Sequence, residues 1–97
     1  MDIDIVKEVI NEFYNDEEII SIELKLKNNS DIIRLYTNFI NSIFIHHESL
    51  KVFYTEERYL SCIGVIRKSS QSSTNYYSIA DIVAITLTKQ SEINKQN

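Results

Sequence analysis

The 97-residue chain has no proline and no tryptophan, and only one glycine and one cysteine. Phosphate-binding loops, the GxGxxG dinucleotide turn and the GxSxG nucleophile elbow each need backbone at positive φ or pressed against a ligand, so a chain with one Gly carries none of them. The lone Cys62 forms no intramolecular disulfide and begins no CxxC zinc or redox site, which fits a reducing compartment. No stretch approaches the roughly 20 apolar residues of a membrane-spanning helix, and MDIDIVKEVINEF lacks the basic start and continuous apolar core of a secretion signal. These absences predict a cytoplasmic protein with no membrane association.

What is present is globular in kind. Hydrophobic residues at 43% and charged residues at 25% match one packed domain of this length, expected over residues 1–90 with a tail at 91–97. The net charge of −4 opposes indiscriminate binding to phosphate backbones. A bias toward Ile, Asn, Lys and Ser reflects A/T-rich coding, frequent in mobile elements and low-GC viruses.

Periodicity then divides the chain. Ile3, Val6, Ile10 and Phe13 recur at helical steps behind Asp2, a good N-cap, so a helix is expected over about residues 3 to 14. Ile20, Ile22, Leu24 and Leu26 alternate with polar residues, the pattern of a strand buried on one face. Residues 31 to 47 fit either a helix, with Ile32, Tyr36, Phe39, Ile40, Ile43 and Phe44 as its stripe, or two strands. The strand-forming composition favours strands at about 32–37 and 43–47, broken at Asn38 to Ser42. Further strands are expected around Leu50 to Tyr54, over YLSCIGVIR (59–67) and over YYSIADIVAITLT, the last kinked near Ala80 and Asp81. The polar Thr55 to Arg58 reads as a turn and Lys68 to Asn75 as a flexible connection. YLSCIGVIR is apolar on both faces, as in a central strand covered on both sides, which makes Cys62 a buried, inert thiol and Gly64 a bulge or a close backbone approach. The fold class is therefore α+β: an N-terminal helix on a five- or six-stranded, mainly antiparallel sheet, closing into a small barrel in one version.

Chemistry-bearing residues are sparse. His46 and His47 would leave opposite faces of a strand and have no HxH, HxxxH or Cys partner nearby, so no metal site or cofactor is implied. One of them, with Glu48 or a tyrosine and Arg34 or Arg67, would serve a metal-independent, ribonuclease-like reaction, but no motif supplies nucleophile, base and orienter together. Charge is uneven: residues 1–20 hold seven acids and Lys7, a net of −6, whereas residues 21–75 hold seven bases and five acids, a net of +2. Asp4, Glu8, Glu12 and Asp16 form one acidic helix stripe whose repulsion costs helix stability, a feature consistent with holding a basic protein partner; the simpler reading is a solvated face. Lys25, Arg34, Tyr36, Arg58 and Arg67, with Phe53, Tyr54 and Tyr76 among them, are the corresponding candidates for nucleic-acid or nucleotide binding, although RNP-type and GXXG signatures are missing. The leading expectation is a small protein-binding module, an inhibitor or adaptor of a mobile or viral genome acting by surface occupation. A homodimer through an exposed strand edge is expected with it, because neither Pro nor Gly blunts the edges.

Overall fold

In the computed structural model, which describes residues 1–90, one helix and six strands follow one another along the chain. Helix α1 spans Ile3–Asn15, with Asp2 as N-cap accepting a hydrogen bond from the Asp4 N–H at 2.9 Å. Its apolar stripe buries Val6 completely and lays Ile10 and Phe13 against the core. Strands β1 (Ile19–Leu26), β2 (Ile32–Tyr36), β3 (Ile40–His46), β4 (Ser49–Cys62), β5 (Val65–Ser78) and β6 (Ile82–Lys89) complete the fold. The helix and β1 lie where periodicity puts them, and residues 32–46 form the two strands their composition favours. The break between those strands is the 3-10 turn Thr37–Phe39 rather than Asn38 to Ser42, because Ile40 and Ser42 already pair with β4. The kink near Ala80 is a 3-10 turn at Ile79–Asp81.

The strands form two antiparallel three-stranded sheets, β2-β1-β6 and β3-β4-β5. The α+β class holds, but the single larger sheet and the barrel do not. Both 3-10 turns, Thr37–Phe39 and Ile79–Asp81, interrupt the ladders and carry the chain from one sheet to the other. The sheets share one core: Ile22, Leu24 and Leu35 from one meet Ile43, Leu50 and Val52 from the other, with Val6, Ile79 and Ile82. Tyr14 ties the helix to this body through its hydroxyl, which donates to the Ile43 carbonyl and accepts from the Ile43 N–H, both at 2.9 Å.

Three expectations for residues 55–75 are corrected. Thr55 to Arg58 is no turn but the middle of β4, and Lys68 to Asn75 is no loose connection but most of β5. YLSCIGVIR is not one central strand. It is two strand ends joined at Ile63 and Gly64, both at positive φ (53° and 75°), as a two-residue type I′ hairpin turn requires. Gly64 accordingly serves the turn: a Cβ there would meet nothing within 4 Å, so neither a bulge nor a close backbone explains it. The tail at 91–97 lies outside the described residues.

Candidate functional site

The β4-β5 hairpin outruns its sheet. The last residue pair joining β3 to β4 is Ile40 with Tyr54, whereas β4 and β5 continue through eight further pairs, from Thr55 with Ser72 to Cys62 with Val65. At about 3.3 Å per residue that makes an arm of roughly 26 Å. The longest dimension of the molecule, 50 Å against 33 and 27 Å, reflects it. The radius of gyration is 15.3 Å, against about 12.5 Å for a compact domain of this size. At the arm's root the Asn41 amide donates to the Thr55 hydroxyl at 2.7 Å, and the Thr55 and Ser72 hydroxyls lie 3.0 Å apart.

Strand alternation gives the arm two faces. Leu60, Cys62, Val65, Arg58 and Arg67 continue the core-facing side of the sheet, and Tyr59, Ser61, Ile66 and Lys68 its outer side. From Arg58 to Thr74 every residue of the hairpin is exposed. Leu60 is 59% exposed, Ile66 72% and Ile63, at the apex, 97%. Leu60, Cys62, Ile63, Val65 and Arg67 line an open concavity. Cys62 is thus exposed, not buried. A β-branched residue with left-handed backbone is strained, and here that strain falls at the most exposed apolar side chain of the described residues. Polar order exists only lower down. Arg58 bonds Glu56 at 3.3 Å, and Lys68 bonds Glu57 at 3.1 Å, a hydrogen bond that raises the lysine pKa.

A second cluster lies on the outer face of the same sheet, over the body. The Lys51 ammonium sits 5.7, 5.0 and 5.1 Å from the ring centres of Phe44, Phe53 and Tyr76. Phe44 and Phe53 are 5.9 Å apart, and the half-exposed Tyr76 reaches toward His46 at 6.4 Å. His46 ends β3, and His47 turns back at φ 56°, which places the two rings edge to face at 4.4 Å rather than on opposite faces. Among the described residues no three His, Cys, Asp or Glu side chains are grouped to hold a metal ion.

The other candidates are dispersed. Asp4, Glu8 and Glu12 are exposed along α1, but the stripe's lower end is engaged at home: the Lys89 ammonium lies 3.0 Å from Asp16 and 3.6 Å from Glu12. The Glu18 N–H first, and Lys89 second, hold the Asp16 carboxyl below its ordinary pKa, and the bond to Asp16 raises that of Lys89. Lys25, Arg34 and Tyr36 share the outer face of the other sheet, where Arg34 bonds Glu23 at 3.1 Å and its pKa is raised by Tyr36 and then Glu23. Arg58 and Arg67 stand apart from them on the arm. The arm itself left one signal in the sequence, the only Gly of the chain flanked by two short apolar runs. Among the described residues no helix is long and apolar enough to cross a membrane. In comparison with known proteins, the chain matches no family model, no curated sequence and no solved structure, so its surfaces are read from their own geometry.

Proposed function

We propose that the protein is a non-catalytic protein-binding module that acts by surface occupation, with the β4-β5 arm as its contact element. One observation carries this reading: Leu60, Ile63, Val65 and Ile66 stay exposed on an arm that no other described part of the chain covers. Exposed apolar groups clustered at one place on a soluble domain mark an interaction surface, whereas scattered ones do not. An inhibitor or adaptor role and self-pairing through a strand edge are compatible with it. The acidic stripe, two of whose four carboxylates are engaged by Lys89, becomes a secondary contact.

Affinity capture from the producing cells tests the reading. A Leu60→Ser, Ile63→Ser, Ile66→Ser variant loses the partner that the wild type holds, and an Asp4→Gln, Glu8→Gln, Glu12→Gln variant keeps it. Undiminished capture by the arm variant overturns the reading.

The aromatic ring of Phe44, Phe53 and Tyr76 around Lys51 supports a second reading, single-stranded nucleic acid stacked on the outer face of the sheet. That reading expects salt-sensitive oligonucleotide binding that Phe53→Ala and Lys51→Ala abolish.

A further inference from the structure

The arm is one end of a longer feature. β5 is the outer strand of its sheet, paired with β4 along all fourteen of its residues and, among the described residues, with nothing on its other side. Its ladder has no register shift, and the chain has no proline to interrupt it. Natural edge strands are usually short, bulged, covered or heavily charged, because a long free edge templates pairing with another strand. Of those devices β5 keeps only Arg67 and Lys68, both near its start.

We infer that β5 pairs antiparallel with β5 of a second copy across a two-fold axis, which joins the two sheets of this type into one six-stranded sheet with each arm lying along the other copy's body. This deepens the reading of the arm as contact element and rests on it.

Symmetry restricts the register. A two-fold that exchanges antiparallel neighbours runs perpendicular to the sheet and leaves each face on its own side. Directly opposed residues share a face, so their numbers must both be odd or both be even. Among the registers allowed, the one centred on Gln71 matches the chemistry of the strand to itself. There Val65 opposes Tyr77, Ile66 opposes Tyr76, Arg67 opposes Asn75, Lys68 opposes Thr74, and Ser69 and Ser70 oppose Ser73 and Ser72. Each aliphatic residue of β5 gains an aromatic partner, the hydroxyls meet hydroxyls, and no cation faces a cation, the pairings that favour adjacent strands. The register centred on Ser72 instead sets Ile66 against Ser78 and leaves Val65 unopposed. About a dozen backbone hydrogen bonds would satisfy the free edge.

The two ends of the strand are complementary as well. The same register carries the apex, Ile63, alongside Ile79 of the second copy. Ile79 and Ala80, with Met1, Ile3 and Glu48, line an open, mostly apolar cleft of about 300 Å³. The uncovered tip of each arm and the cleft at the foot of the other copy's β5 come together twice per dimer, as an isologous interface requires.

Two measurements on the purified full chain decide the matter. Sedimentation equilibrium returns a dimer that dissociates on dilution, and Val65→Ser with Ile66→Ser weakens it more than about tenfold, since each substitution counts twice across the axis. In a Cys62→Ser background, cysteines placed singly from residue 69 to 73 are oxidised under mild conditions, with circular dichroism verifying the fold. Gln71→Cys, which faces its own copy, forms the disulfide-linked dimer most completely; Ser69→Cys and Ser73→Cys, each opposed by an unsubstituted residue, do not. A maximum at Ser72→Cys overturns the assigned register. A monomer at every concentration, with no crosslink at any position, overturns self-pairing while leaving the arm available to a different protein. The reading of the arm itself falls only if the arm variant still captures its partner.

Discussion

The body and the arm are made of the same kind of strand, and they use it in opposite ways. In the body, period-two alternation places Leu24, Leu50 and Val52 inside a shared core at 1% exposure or less. In the arm the same β4 strand continues with Leu60 on the equivalent face and, among the described residues, no layer above it. Backbone pairing alone is enough to define a hairpin's geometry, but an isolated two-stranded hairpin is marginal in water without a hydrophobic face packed against something. The arm therefore borrows its order from the body at one end and holds its apolar end exposed at the other.

The sharpest test of this contrast is one substitution made twice. Leu24→Ala removes a fully buried side chain between the sheets, and is expected to lower unfolding free energy by about 2 to 5 kcal/mol. Leu60→Ala in the monomeric protein is expected to change it by less than about 0.5 kcal/mol, as for other surface sites. Urea denaturation measures both. A large loss at Leu60 under conditions where the protein is monomeric would show that the arm packs on the body after all.

Next in size is Tyr14→Phe. The substitution keeps the ring and its 5.2 Å edge contact with Phe13 but strands the Ile43 N–H and carbonyl that the hydroxyl serves together. Leaving a part-buried amide without its partner costs about 1 to 2 kcal/mol. The same denaturation experiment reads it, and an unchanged midpoint would mean water replaces the hydroxyl.

Residues 3–26 are legible in the sequence because the helix and β1 each have one face to bury, whereas residues 31–47 fit a helix and two strands alike, and only their strand-forming composition favours the pair of strands that forms. Asp2, the spacing of Val6, Ile10 and Phe13, and the alternation from Ile20 to Leu26 all report a buried side. The arm is not legible for the converse reason. Ser69 to Thr74 form a strand with neither face buried, so no alternation marks them, and serine-rich segments ordinarily read as loops. The turn is hidden too, because Ile63 stands where Asn or Gly signals a type I′ hairpin. Even so, the two-sided apolar character of YLSCIGVIR does report a need for cover. Nothing in the described chain supplies that cover, and Cys62 is therefore exposed where the sequence pattern would bury it.

Relieving that turn should separate stability from binding. Ile63→Asn retains Gly64 and places a residue tolerant of left-handed backbone at φ 53°, so hairpin stability is expected to rise by about 1 kcal/mol. Hydrogen exchange of amides 56–71 measures the gain as slower opening. Partner capture or dimerisation should weaken in the same variant, because the 97%-exposed isoleucine is the apolar apex. Tighter association of the Ile63→Asn variant would show that the strained isoleucine is a liability rather than a contact.

The smallest effect belongs to the body's surface and bears on the acidic stripe. Asp16 has its carboxyl pKa lowered by the Glu18 N–H and by Lys89, so its contribution to stability is complete above the unfolded value near 3.8 and is lost as pH falls through the lower folded value. Lys89 has its pKa raised by Asp16, so its contribution is complete below the unfolded value of 10.5 and is lost as pH rises through the folded one. Both directions describe one ion pair, and stability should therefore be flat across neutral pH and decline gently at the two extremes. Lys89→Met removes Lys89's share of the alkaline decline, leaving that of Lys68 with Glu57, and part of the acid one, the remainder there being the Asp16 bond to the Glu18 N–H, which needs no cation. Because the pair is solvent-accessible, salt should shrink the effect further. If Lys89→Met instead leaves both limbs unaltered, the lower end of the acidic stripe is free of Lys89 in solution, and all four carboxylates of Asp4, Glu8, Glu12 and Asp16 are open to a basic partner.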